Sequence, residues 1–225
     1  MAGNLRTRSL PEEVAAYVRE LILTGELRPG EFLRLEPIAE AIGVSNTPVR
    51  EGLLALRAEG FVQLVARRGF MVEAISARDV RDIFWAQAKL AGELAARAAK
   101  NITPEQVAHL DKLREAYDAA VDEGGDDRIA EAGHAFHRYI NHVADSGRLA
   151  SILGSIVQQL PNRFYATVEG HVEATRDDHR QIVEAMRKQS SRTARKLTEE
   201  HILELADHLV DLLAKRGLWD DAETA

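Results

Sequence analysis

The sequence predicts a mainly α protein, with an N-terminal winged helix-turn-helix followed by a C-terminal all-helical bundle. Three observations lead there. Three short segments with helical apolar spacing are separated by turn residues, and two β-rich runs with a basic tip follow them. From Asp79 onward strand signals vanish and long amphipathic helices take over. The boundary falls near Ser76 to Arg78, giving a winged helix-turn-helix domain over 8–75 and a helical domain over 79–216.

Ser9, with Glu12 three residues on, forms a capping box ahead of VAAYVRELIL, and Gly25 stands where a C-terminal cap belongs. Arg28-Pro29-Gly30 is a turn, and EPIAEAI before Gly43 is a short second helix. The third opens at GVSNTPVRE and runs to Gly60. One of Ser45, Asn46 or Thr47 would suffice to cap it, with Pro48 in the first turn; three such groups plus Arg50 exceed what capping needs. Val44, Val49, Leu53 and Leu56 fall on its apolar side. FVQLV and FMVEAI then read as a hairpin whose tip is Ala66-Arg67-Arg68-Gly69. Later helices are expected over 78–100, 104–123, 127–144, 147–159, 174–188 and 191–215, the second opened by the capping box Thr103-Pro104-Glu105-Gln106. The terminal runs MAGNLRTR and DDAETA are expected to fray.

The chain has 225 residues, 45% of them hydrophobic, and a net charge of -7, which excludes disorder throughout. No cysteine is present, so disulfides and thiolate chemistry are excluded and any metal must bind through His and carboxylate. The N-terminus lacks an apolar signal core, and no stretch reaches the roughly 18 apolar residues of a membrane span, so a cytoplasmic location without membrane attachment is expected. The acidic balance argues against nonspecific coating of nucleic acid. Positive charge is local: residues 1–75 hold nine Arg and no Lys against ten acidic residues, yet between Gly43 and Gly69 four arginines face only Glu51 and Glu59.

In a helix-turn-helix the start of the second helix enters the major groove. Ser45, Asn46 and Thr47 are therefore candidates for bonding phosphates or base edges, and Arg50 for reading guanine. Arg67, Arg68 and Gly69 are the candidate wing contacts. Over LRPGEFLRLEPIAEAIGVSNTPVREGLLALRAEGFVQLVARRGFMV the sequence resembles the GntR family of bacterial transcription regulators, with its PG turn, VSxTPVRE signature, LxxLxxEG continuation and RRG wing. The resemblance implies a homodimer on a pseudo-palindromic double-stranded operator. Family members commonly carry Arg where Asn46 stands, so the operator is not transferable from relatives.

DVRDIF, LAGELAARAA, HAFHRYINHVADSGR, DDHRQIVEAM and TEEHILELADHL, in that order, resemble the FadR-like subfamily's FCD-type ligand-sensing domain over about 79–215. That resemblance implies a divalent metal, zinc or nickel, on His137, His179 and His201. At the position of the subfamily's acidic or Asn ligand stands Gly133, leaving His134 or Asp178 as substitutes, or a vacancy for water or an effector carboxylate. His109, His142, His171 and His208 are assigned to incidental helix-face or hydrogen-bonded positions. Gln87 replaces a subfamily arginine and Ala91 an acid. The implied small-molecule effector, a carboxylate in many relatives, would then meet Gln87, His134 and, from another helix, Arg163. A metal-free dimerisation bundle is the alternative. A zinc hydrolase is disfavoured, because no HExxH pattern, phosphate loop or GxSxG elbow is present.

Overall fold

The computed structural model describes residues 9–160 and 173–215. These divide into two compact units, one ending at Ser76 and one running from Ala77 to Lys215. Arg163, His171 and both terminal runs lie outside the described residues.

The first unit contains α1 (Leu10–Leu23), β1 (Phe32–Leu33), α2 (Leu35–Ile42), α3 (Asn46–Ala58), β2 (Val62–Val65) and β3 (Gly69–Val72). The Glu12 carboxylate accepts the Ser9 backbone N–H at 2.8 Å, as the capping sequence requires. Gly43 ends α2 with φ 76°, a left-handed turn that glycine adopts without a Cβ penalty. The apolar stripe of α1, Val14, Val18 and Ile22, is buried with Val49, Leu53 and Leu56 of α3. Each such side chain contributes about 1.5–3 kcal/mol by leaving water. Helices α1 and α3 meet closely at Gly52, where a Cβ would lie 2.8 Å from the Pro11 carbonyl oxygen. Arg19, only 6% exposed, stays in this core by pairing with Glu59 at 2.5 Å. Val44, expected in the core, is only half-buried, because it sits in the turn before α3 instead of on the helix.

The sheet has the order β1-β3-β2, antiparallel throughout. Its hairpin matches the sequence expectation, but β3 stops at Val72, short of Ile75, and β1 is additional. Phe32 pairs with Met71, and Met71 with Gln63, so these three share one face; Leu33, Phe70 and Leu64 share the other. Phe70 and Leu33 turn into the core. Phe32 is therefore on the outer face.

The second unit consists of α4 (Ala77–Asn101), α5 (Pro104–Glu123), α6 (Asp126–Val143), α7 (Gly147–Val157), α8 (Glu173–Arg187) and α9 (Ser191–Lys215) among the described residues. The capping box opening α5 forms in both directions, Gln106 N–H to the Thr103 hydroxyl at 3.2 Å and Thr103 N–H to the Gln106 side chain at 2.9 Å. Helices α4 and α9, each 25 residues long, pack along one another. Arg81 pairs with Asp207, Lys89 with Glu199 and Glu93 with Arg195, so the two run antiparallel. Small residues on α4, including Ala88, Ala91, Ala95 and Ala99, are buried, which lets the backbones approach. Among the described residues no helix is long and apolar enough to cross a membrane.

Candidate functional site

Three helices deliver one imidazole each to the interior of the second unit: α6 His137, α8 His179 and α9 His201. One ring nitrogen from each lies within 4.8 Å of the others. Ring centroids are 5.2 Å apart for His137 and His179, 5.2 Å for His137 and His201, and 5.1 Å for His179 and His201. Nitrogens around a tetrahedral zinc sit roughly 3.4 Å apart, given Zn–N bonds of about 2.0–2.1 Å, so small side-chain rotations would close the set.

Hydrogen bonding decides whether these residues fit a cation. Both ring nitrogens of His179 and Nε2 of His201 are buried without a hydrogen-bond partner among the described residues. Buried polar atoms are seldom left so. His201 Nδ1 lies 3.2 Å from the Asp178 carboxylate, an arrangement in which Nδ1–H donates and Nε2 keeps its lone pair for a metal. Asp178 is thereby engaged as the orienting partner of His201. Burial pushes the His179 imidazole well below its ordinary pKa, aided by His201, His137 and the Arg114 guanidinium; burial likewise lowers His137, aided by His201 and His134. Neutral imidazole is the ligating form. His179 is also fixed sterically, stacked on Phe136 at 4.2 Å and edge-on to Tyr117 at 4.7 Å. The residues fit a divalent ion.

His137 also fronts a partly open pocket. Its polar lining is Gln87, His134, His137 and Asn141; Phe84, Ala91, Leu153, Val157, Ile202 and Leu205 supply the apolar walls. Gln87 is 3% exposed and belongs to the pocket wall. His134, His137 and Asn141 follow one another at three- and four-residue spacing, which places them on one face of α6.

In the first unit, Ser45 occupies the N-cap of α3 with extended backbone angles, yet its side chain makes no capping hydrogen bond. Asn46, Thr47 and Arg50 are exposed along the first turns, and among the described residues Arg50 has no ion pair with Glu51 or any other acid. The polar groups are thus available to an external partner, together with the free N–H groups of a helix start. Arg67 and Arg68 are exposed at the hairpin tip, Arg67 with φ 63° and Gly69 with φ 97°. The Arg68 guanidinium carbon lies 4.3 Å from the Phe32 ring centroid.

Residues 10–72 match the bacterial regulatory proteins of the gntR family, and residues 82–204 match the FCD domain, more than half of the chain. The chain is a GntR-family regulator with an FCD domain. McbR, an HTH-type transcriptional regulator of Escherichia coli, is 28% identical over 158 residues, 70% of this chain and 70% of that one. YdhC of Bacillus subtilis, an uncharacterized HTH-type transcriptional regulator, is 23% identical over 199 residues, 87% of this chain and 89% of its own. The E. coli McbR/YncC structure shares the fold with a TM-score of 0.66 at 21% identity, covering 94% of this chain and all of that one. A Listeria monocytogenes structure, described as Lar controlling expression of the agr system, gives a TM-score of 0.62 at 21% identity over 92% of this chain and 99% of its own.

Within this GntR-family regulator, the structure brings together His137, His179 and His201, and gathers Gln87 and His134 beside them. Gly133 is buried on α6 and offers no ligand atom. His109, His142 and His208 are exposed on helix faces, His109 against Tyr139 at 4.5 Å and His208 bonded to the Glu204 carbonyl at 2.8 Å. Asn141 and the cation–π contact of Arg68 with Phe32 escape sequence reading. The spacing of Asn141 from His137, one helical turn, is the signal that points to it.

Proposed function

We propose that this GntR-family regulator is a homodimeric cytoplasmic repressor whose FCD domain binds one divalent ion, zinc or nickel, on His137, His179 and His201, and a small effector in the adjoining pocket. The observation that carries this reading is the convergence of three imidazoles, with both ring nitrogens of His179 and Nε2 of His201 buried without a hydrogen-bond partner among the described residues. Gly133 leaves a fourth coordination position to water or to an effector oxygen. The bound ion would supply Lewis acidity and positive charge; Gln87 and His134 would supply neutral hydrogen bonds, and the apolar walls a dry surround. Gln87 stands where an arginine fork would favour a second carboxylate, so the effector we favour is an organic acid with one carboxylate. A repressor role is supported by RspR of E. coli, described as a transcriptional repressor, at 22% identity over 220 residues.

In the proposed winged-helix domain, residues 8–75, Ser45, Asn46 and Thr47 would contact phosphates or base edges and Arg50 a guanine, while Arg67, Arg68 and Gly69 contact the backbone beside the wing. The helical domain, 79–216, would hold the dimer and match its two-fold axis to a pseudo-palindromic operator. Effector and DNA binding are then linked reciprocally, with a coupling of about 1–3 kcal/mol.

Elemental analysis of the purified protein, beside the His137→Ala, His179→Ala double variant, tests the metal reading. Near-stoichiometric ion in the unmodified protein alone, with a further thermal shift from monocarboxylates, is the expected result. Absence of ion after supplementation with zinc and nickel would leave the second reading, a metal-free dimerisation bundle, which Gly133 favours.

A further inference from the structure

We infer that Phe32 is a positioning residue that holds the Arg68 guanidinium as a preset plate for a DNA backbone phosphate. The inference rests on the reading of the hairpin as a DNA-contacting wing and extends it to a residue outside the hairpin. Phe32 belongs to β1, the two-residue strand on the far side of β3 from β2, and its ring stands on the outer sheet face with Met71 and Gln63. An aromatic ring on that face is half-buried because the Arg68 side chain covers it, the guanidinium carbon 4.3 Å from the ring centroid. That separation is well inside cation–π range.

The local backbone makes this contact specific to Arg68. The Arg68 N–H donates to the Val65 carbonyl at 3.1 Å, closing the turn, while Arg67 takes the left-handed conformation with φ 63°. Of the two neighbouring arginines, only Arg67 has a positive φ. Among the described residues Arg67 has no ion pair or ring contact, and Arg68 has the Phe32 face. A guanidinium stacked on an aromatic face keeps its in-plane N–H donors free, the geometry that grips a phosphate bidentately. A guanidinium already confined loses less rotamer freedom when it binds. Phe32 thus raises affinity without touching DNA.

The test uses the full-length protein and a duplex it selects from a random-sequence library, with affinity measured across a salt series. Arg68→Ala is expected to weaken binding and reduce the magnitude of the salt slope by about 1. Phe32→Ala is expected to weaken binding about two- to five-fold with the slope unchanged, since the charge remains. Phe32→Leu, which keeps apolar bulk and loses the ring face, should behave like Phe32→Ala, while Phe32→Tyr should retain affinity. In the Arg68→Ala background Phe32→Leu should cause no further loss. Normal binding by Phe32→Leu, or additive losses in the double variant, would overturn the inference while leaving the wing reading intact. No effect of Arg68→Ala would instead overturn the wing reading, and the role of Phe32 with it.

Discussion

Asp178 shows how one side chain's role depends on its third-dimensional neighbour. Adjacent to His179 in sequence, it reads as a substitute ligand; in the fold it bonds Nδ1 of His201 on another helix at 3.2 Å. A carboxylate beside a metal-binding imidazole fixes its tautomer and ring orientation. Asp178→Asn is therefore expected to weaken metal affinity about 10- to 100-fold, read by competition with a chromogenic chelator, with folding of the metal-free protein little changed. Equal affinity in both proteins would remove the orienting role. The histidine trio itself was legible because each member sits in a recognisable helical motif. Asn141 was not, since a single amide on a helix face carries no pattern until the pocket encloses it.

At the scale of elements, the helices announced themselves through capping chemistry and apolar spacing, and Thr103 with Gln106 forms the expected reciprocal bonds. Strand β1 did not, because two residues have no period and Phe32–Leu33 exists only by pairing with Met71 and Phe70. Helix packing makes opposite demands on two glycines. At Gly52 a Cβ would meet backbone at 2.8 Å, whereas at Gly154 in α7 nothing among the described residues lies within 4 Å. Gly52→Ala forces apart α1 and α3, an overpacking penalty of about 1–3 kcal/mol that outweighs a helix-propensity gain of up to about 1. It should lower the unfolding temperature of the first unit and weaken operator binding. Gly154→Ala should raise that of the second unit through a gain of about 0.5–1 kcal/mol. Thermal scans of the two variants decide both; a stabilising Gly52→Ala would show that the helices yield.

For the whole molecule, the division at Ser76 and Ala77 gives each unit its own core, so ligand energetics are expected to act on one of them. Zinc or nickel at 100 times its dissociation constant adds about 2.7 kcal/mol to the unit that binds it. Calorimetry should therefore show the transition of residues 77–215 rising with metal and falling with chelator, while the first unit's transition stays in place. Movement of both together would indicate a single cooperative unit. The unequal settings of the histidines bear on how long such an ion would stay. His201 is backed by a carboxylate, but His179 is packed between Phe136 and Tyr117 with neither ring nitrogen bonded among the described residues. Whichever nitrogen meets the ion, the other has no acceptor among the described residues, which would make His179 the less supported donor. An ion at this centre would then be held unequally, more firmly through His201 than through His179.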